Sequence, residues 1–332
     1  MKKYLLTFFL LSTNFLYASE HEHLKNVKTI ADSFAWAKNL NSVEQSIWPF
    51  ALKSIGHSMQ SYQNYSFSPY WHDGLDIRGE AGQQVFSTVS GKVVNIENYQ
   101  RGNDLYWEVA ILDDSGFVWK YHHMDKNSIA DVIKEAYKTG ERIKQGEYIG
   151  DIVTWPATSF GERYHHIHLL VVDGNKRYVN PFTLLPKLED TSAPQITEIG
   201  LFDNKRKMIS GTTTSSEHGI YIVAQDLVLH DQFILTPYLI TYSLDNGADQ
   251  TVWRFDYLPS VDNDTDYIND FYLKKTCGNY SCRKFYINLN FDKNAKDATK
   301  FFDLSPGIHE IKVTVSDFVG NQSQKNFQYN VR

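Results

Sequence analysis

The chain has 332 residues, 42% hydrophobic and 14% aromatic, enough apolar material for two domains of ordinary size. Its formal net charge is −6, from 33 Lys and Arg against 39 Asp and Glu, and no basic run stands out. That balance argues against nucleic acid and against an anionic membrane surface as partners.

Residues 1–18, MKKYLLTFFLLSTNFLYA, place two lysines before a short apolar stretch that ends at Ala18-Ser19. This is the layout of a secretory signal peptide, and the apolar part is too short to span a bilayer comfortably. An exported protein is expected, in the periplasm or outside the cell, with no membrane insertion once the signal is removed. Leu16 is larger than the small residue usual near such a cut, so an uncleaved anchor is the alternative. No cysteine near the cut offers lipid attachment. Loss of Lys2 and Lys3 would take the net charge from −6 to −8. The new terminus would read Ser19-Glu20-His21, a pattern that can hold copper or nickel, although a solvated end is the simpler reading.

Within the segment 19–45, Leu24, Val27, Ile30, Phe34 and Ala37 recur at helical spacing and predict an amphipathic helix over 22–40. Residues 46–188 read mostly as β-strand. VFSTVSGKVVNIE forms two alternating runs around Ser90-Gly91. LYWEVAIL and FVWKYHHM flank Asp113-Asp114-Ser115-Gly116, a strong hairpin turn. A short helix is predicted over 128–138, starting on Ser128, and RIKQGEYIGDIV returns to strand. A polar stretch with a proline then predicts a linker at 189–194.

From 195 to 332, runs such as GIYIVAQD, YLITYSLDNG, KFYINLNF and HEIKVTVSD alternate between turn signals. They predict an antiparallel β-sandwich of immunoglobulin-like size, and PGIHEIKVTVSDFVGNQSQ resembles the last hairpin of bacterial immunoglobulin-like domains. The two cysteines, Cys277 and Cys282, stand close together, and in an exported chain one disulfide is expected. Asp262, Asp264 and Asp266 lack the Gly and Glu of a calcium loop of the EF-hand kind and read as a solvated acidic loop. His218, His230 and His309 have no partners in spacing and read as structural or surface residues.

Chemistry concentrates in three short segments, WHDGLDI at 71–77, KYHHM at 120–124 and YHHIHLL at 164–170. Residues two apart on a strand share a face, so His166 and His168 point one way, with His165 and Ile167 opposite. The same rule groups Tyr121 with His123 and sends His122 to the other face with Val118 and Lys120. Gly74 allows a turn between His72 and Asp76. A zinc hydrolase needs three protein ligands, an open position and nearby groups to move protons. These segments supply the right side chains. Each segment alone is a weak signal; their joint presence in this order is not.

At these residues the chain resembles the lysostaphin-type zinc metallopeptidases, the peptidoglycan endopeptidases that include LytM-like proteins. The family's H-x-G-x-D, Y-x-H and H-x-H motifs stand here as His72-Asp73-Gly74-Leu75-Asp76, Tyr121-His122-His123 and His166-Ile167-His168. GQQVFSTVSGKVV, IKQGEYIG and YVNPFTLL also look like family stretches, so the resemblance covers about 46–188. It implies a mostly antiparallel β fold and one Zn2+ held by His72, Asp76 and His168, with His123 and His166 as catalytic residues. The implied partner is a peptidoglycan peptide, with bonds between D-Ala and a diamino acid favoured. A glycyl-glycine bond, or a non-catalytic activator of another wall hydrolase, is the alternative; such activators typically lose ligands, and all five positions are intact here. Departures are Leu169-Leu170 where Phe-Glu is common, Met124 for Leu, GERYH before the H-x-H, and the insertion near 127–138. They affect groove shape rather than the ligand set. Tyr65 and Tyr70 precede the first ligand and either could donate to an oxyanion or simply line the groove.

Overall fold

The computed structural model describes residues 45–52, 54–65, 68–159, 161–228, 235–258, 267–277 and 282–332. The signal peptide, the helix over 22–40, the Ser19-Glu20-His21 terminus, His230 and the Asp262–Asp266 loop lie outside the described residues. Among the described residues no helix is long and apolar enough to cross a membrane.

The protein is mostly β, as the sequence predicts. In chain order the first strands are β1 (Ser54–Ile55), β2 (Tyr62–Tyr65), β3 (Ser68–Trp71), β4 (Leu75–Arg78), β5 (Gln84–Phe86), β6 (Gly91–Asn98), β7 (Trp107–Asp113) and β8 (Val118–Met124). Helix α1 (Asp131–Thr139) follows, then β9 (Arg142–Ile143), β10 (Tyr148–Asp151), β11 (Thr158–Ser159), β12 (Glu162–Arg163), β13 (His166–Val172) and β14 (Tyr178–Val179). Contacts divide the chain into two compact units. One joins Met1–Lys53, where described, with Asp76–Pro186; the other joins Ser54–Leu75 with Lys187–Arg332.

The first unit is built on a sheet in which β4, β13, β8, β7, β6 and β9 are neighbours in that order. The expected hairpin between β7 and β8 is present. Asp113 caps it, its Oδ1 accepting from the backbone N–H of Ser115 at 2.8 Å and of Phe117 at 2.9 Å, while Gly116 takes a positive φ of 88°. Register explains where the chemistry lies. His168, His122 and Glu108 face one another across β13, β8 and β7, followed by Leu170, Lys120 and Ala110, then Val172, Val118 and Leu112. The apolar end of this row forms a buried cluster of Ala110, Leu112, Val118, Leu170 and Val172. Polar side chains take over toward His168. The opposite face is also apolar, with Ile167, Leu169, Val171, Tyr121, Val109 and Ile111 fully buried.

The helix expected from Ser128 begins instead at Asp131. Ser128 is used differently: its hydroxyl donates to the Asp125 carbonyl at 2.8 Å and accepts from the Asp151 N–H at 2.7 Å, tying the preceding turn to β10. The helix ends at Gly140 in the left-handed region, the usual device for stopping a helix.

The second unit continues with β15 (Gln195–Phe202), β16 (Met208–Ile209), β17 (Thr213–Thr214), β18 (Glu217–Gln225), β19 (Leu239–Leu244), β20 (Gln250–Arg254), α2 (Ile268–Phe271), β21 (Tyr272–Cys277), β22 (Cys282–Asn288), β23 (Phe302–Asp303), β24 (Gly307–Ser316) and β25 (Gln322–Val331). One sheet runs β16-β15-β18-β22-β21, another β17-β25-β24-β19-β20. His218 is a structural residue, fully buried, with its Nε2 3.2 Å from the Tyr329 hydroxyl on the other sheet. His309 meets the Asp245 carboxylate at 2.7 Å near the surface. Cys277 and Cys282 pair in register across β21 and β22; their side chains lie outside the described part. The β2–β3 hairpin belongs to this unit. Fully buried Trp71 packs its ring against Phe255, Phe271 and Tyr272 at centroid distances of 5.8, 5.4 and 5.3 Å.

Candidate metal and catalytic site

The three segments singled out in the sequence converge. Ligand atoms of His72, Asp76 and His168 all lie within 4.8 Å of one another, and all three side chains are buried. His72 precedes β4, Asp76 is on it, and His168 stands on the neighbouring β13. His168 Nδ1 is 3.1 Å from Asp76 Oδ1. Two ligands each ~2.0–2.1 Å from a tetrahedral ion would stand ~3.3 Å apart, so this spacing suits adjacent positions on one zinc. Two imidazoles and one carboxylate are also the donor types that zinc takes at catalytic sites.

Outer contacts orient these groups. His72 Nδ1 lies 3.1 Å from the Gly74 carbonyl, which can only accept; Nδ1 therefore carries the proton and Nε2 is left as the basic nitrogen. The Tyr164 hydroxyl donates to Asp76 Oδ2 at 2.7 Å and holds the carboxylate so that Oδ1 faces His168.

His123 and His166 stand beside this group with ring centroids 4.7 Å apart. Each is set by the same device. His123 Nδ1 donates to the Leu105 carbonyl and His166 Nδ1 to the Tyr164 carbonyl, both at 2.8 Å. In its neutral form each ring thus presents Nε2 as the basic nitrogen. His166 Nε2 is 3.7 Å from Asp76 Oδ1. Burial holds His123 well below the ordinary histidine pKa, and its neighbours His166 and His168 add to this by disfavouring a second positive charge. Trp155 covers the pair, 4.5 Å from the His123 ring and 5.0 Å from that of His166.

One expectation fails instructively. Strict alternation sends His122 and His123 to opposite faces. His123 instead has a φ of 66°, and the β7–β8 register slips there, with Trp107 opposite Met124 and Glu108 opposite His122. This is a β-bulge, and it breaks the period of two. His122 stacks on His168 at 5.3 Å, while His123 reaches His166 on the same side. His165, as expected, turns away, and its Nδ1 accepts from the Trp155 N–H at 3.0 Å. Tyr70 is half-buried on β3, and the Tyr65 side chain lies outside the described part.

The sequence reading passed over a buried network behind the site. Glu108, with no solvent exposure, accepts from Lys120 Nζ through both oxygens at 3.2 Å, from Asn95 at 2.7 Å and from His122 Nε2 at 2.7 Å. Burial lowers the His122 pKa to about 4, although Glu108 opposes this. His122 is therefore a neutral Nε2–H donor wedged between Glu108 and His168. The signal was present in the sequence: Glu108 and Lys120 are lone charges inside otherwise apolar strand runs.

Residues 70–181 match peptidase family M23, a span that contains all five candidate residues. No curated protein matches the chain. Among solved structures, it is similar to a zinc-containing peptidase from Vibrio cholerae, at 21% identity over 43% of this chain and 41% of that one, with a TM-score of 0.30. It is also similar to the catalytic domain of the antimicrobial peptidase lysostaphin from Staphylococcus simulans, at 20% identity over 45% of this chain and 95% of that one, with a TM-score of 0.25. The chain thus spans less than half the length of the Vibrio cholerae peptidase. The overlap with both is local, and the family match covers about a third of the chain.

Proposed function

Residues 70–181 being a peptidase family M23 domain, we propose that this chain is an exported zinc endopeptidase that hydrolyses peptide cross-links of bacterial peptidoglycan. The observation that carries this reading is one constellation: a His72–Asp76–His168 group with two histidines beside it, both fixed as Nδ1–H tautomers. His72, Asp76 and His168 would hold the metal. Bound there, Zn2+ would polarise the scissile carbonyl and acidify the attacking water.

The rest belongs to the chain. His123 and His166 present basic Nε2 atoms side by side. One takes the proton of the attacking water; the other stabilises the developing oxyanion or helps protonate the leaving amine. The depressed pKa of His123 keeps it neutral, and so able to accept a proton, at pH values where an ordinary histidine is already charged. Trp155 excludes water from one side of the pair. Tyr164 keeps the Asp76 carboxylate from rotating.

The favoured bond joins D-Ala to a diamino acid. Purified muropeptide dimers with that bond, set beside a pentaglycine peptide, test the preference. Release of monomers from the dimers, with the glycine peptide intact, supports it; cleavage of the glycine peptide alone overturns it.

A further inference from the structure

A second group of acids, two buried and one half-buried, lies wholly within the C-terminal unit. Asp190 comes from the segment leading into β15, Asp226 follows β18, and Asp317 follows β24. One carboxylate oxygen from each lies within 4.8 Å of the others. Asp226 and Asp317 are each only 3% exposed. Acids brought this close normally repel, and no cation among the described residues is paired with any of them.

Asp226 is the informative member. Its Oδ1 is buried and has no hydrogen-bond partner. Burial, then Asp317 and Asp190, push its carboxyl up to about 7. A buried polar atom without a partner is unfavourable, and more so if charged. A divalent cation would satisfy it and neutralise two of the three charges.

The other two acids are already oriented. Asp317 Oδ1 accepts from the N–H groups of Gly320 at 2.7 Å and Asn321 at 2.8 Å, and its Oδ2 accepts from the Asn321 side chain at 2.7 Å. The same Asn321 amide donates to the Asp190 carbonyl at 3.0 Å, and Asp190 Oδ1 accepts from the Ser192 N–H at 2.9 Å. A carboxylate oxygen has lone pairs to spare after one such bond.

We propose that Asp190, Asp226 and Asp317 form a calcium site that fixes the start of the C-terminal unit to the ends of β18 and β24. All three donors are hard oxygens with no nitrogen or sulfur among them, which favours calcium over zinc. The irregular backbone around them suits calcium's flexible coordination better than the strict octahedron of magnesium.

The test is a Ca2+ titration of the full chain, freed of calcium and loaded with Zn2+ so that the histidine-containing group is already saturated. Thermal unfolding is the readout, at pH 8. The expected result is a saturable rise in Tm of roughly 4–10 °C. Asp226→Asn and Asp317→Asn keep the shape and remove a charge; both should abolish the rise. Asp190→Asn, at the half-buried position, should weaken apparent affinity at least tenfold and guards against a folding defect in the other two. Without calcium, Asp226→Asn should melt above the parent chain, because a buried repulsion has gone. No response of the parent chain to millimolar Ca2+, an equal response to Mg2+, or a rise retained in all three variants would overturn the site. Peptidase activity is not the readout, so this result stands apart from the proposed reaction.

Discussion

His123 and His166 each have Nδ1 bound to a backbone carbonyl, and their rings meet beside Asp76 and His168. If they move the protons, His166→Ala or His123→Ala should lower kcat by about 10²–10⁴ while bound zinc stays unchanged. Loss of zinc in step with activity would instead make them ligands. Tyr164 acts one step further out. Tyr164→Phe removes the hydroxyl that holds Asp76 Oδ2 and should weaken zinc binding about 10–100-fold, read by competition with a chromogenic chelator. Unchanged affinity would mean that Asp76 needs no such brace. His122 gives a pH prediction. Its pKa is about 4 in the folded protein against about 6.5 unfolded, so the unfolded chain binds the extra proton between those values. The contribution is complete above about pH 6.5 and is lost as pH falls toward about 4. The Tm of zinc-free protein should drop over that window, and less steeply in His122→Gln; an identical slope would contradict the assignment. At this scale the convergence of the H-x-G-x-D, Y-x-H and H-x-H segments was legible in the sequence, because their order and residue types already set them apart. Tautomer and anchoring carbonyl were not legible, since Leu105 and Tyr164 contribute only backbone oxygens.

Between the strands, two features decide how those residues meet. The bulge at His123 cannot be read from alternation, which assumes an unbroken register; it is a backbone event, marked by one positive φ. The Glu108–Lys120 pair was visible in principle, as opposite charges in adjacent apolar strands, but its meaning depended on register. With Ala110 opposite Lys120 and Glu108 opposite His122, the two charges sit on one face, one pair apart. Glu108→Gln would leave Lys120 charged and uncompensated in the interior and should cost about 3–5 kcal/mol, measured by urea unfolding. Glu108→Gln with Lys120→Met should recover much of that loss. A single variant as stable as the parent chain would mean that water reaches the pair. The helix boundary shows the same limit on a smaller scale: Ser128 looks like a cap by residue type, yet its hydroxyl serves the 125–128 turn and β10.

Across the molecule, sequence pattern conveyed a mostly β chain with a resemblance to lysostaphin-type peptidases over about 46–188, but not the long-range company that each segment keeps. Trp71, next to His72, is buried by Phe255, Phe271 and Tyr272, residues 184 to 201 positions away along the chain. Periodicity carries no information at that range. Trp71→Ala should cost roughly 3–5 kcal/mol, and the loss should appear in the unit that contains Ser54–Leu75 and Lys187–Arg332. A near-neutral effect would show that the hairpin is only loosely held. Residues 187–332 are therefore tied by packing to the hairpin that leads to the first proposed ligand. The central claim remains hydrolysis that depends on zinc and on the histidine pair. Its most direct test is digestion of purified peptidoglycan by the protein lacking residues 1–18, read by mass spectrometry, with and without a zinc chelator and beside His166→Ala. The account predicts that cross-linked dimers disappear and matching monomers appear, and that the chelator or the substitution stops both. Intact dimers from several wall types, with one zinc bound per chain, would contradict it.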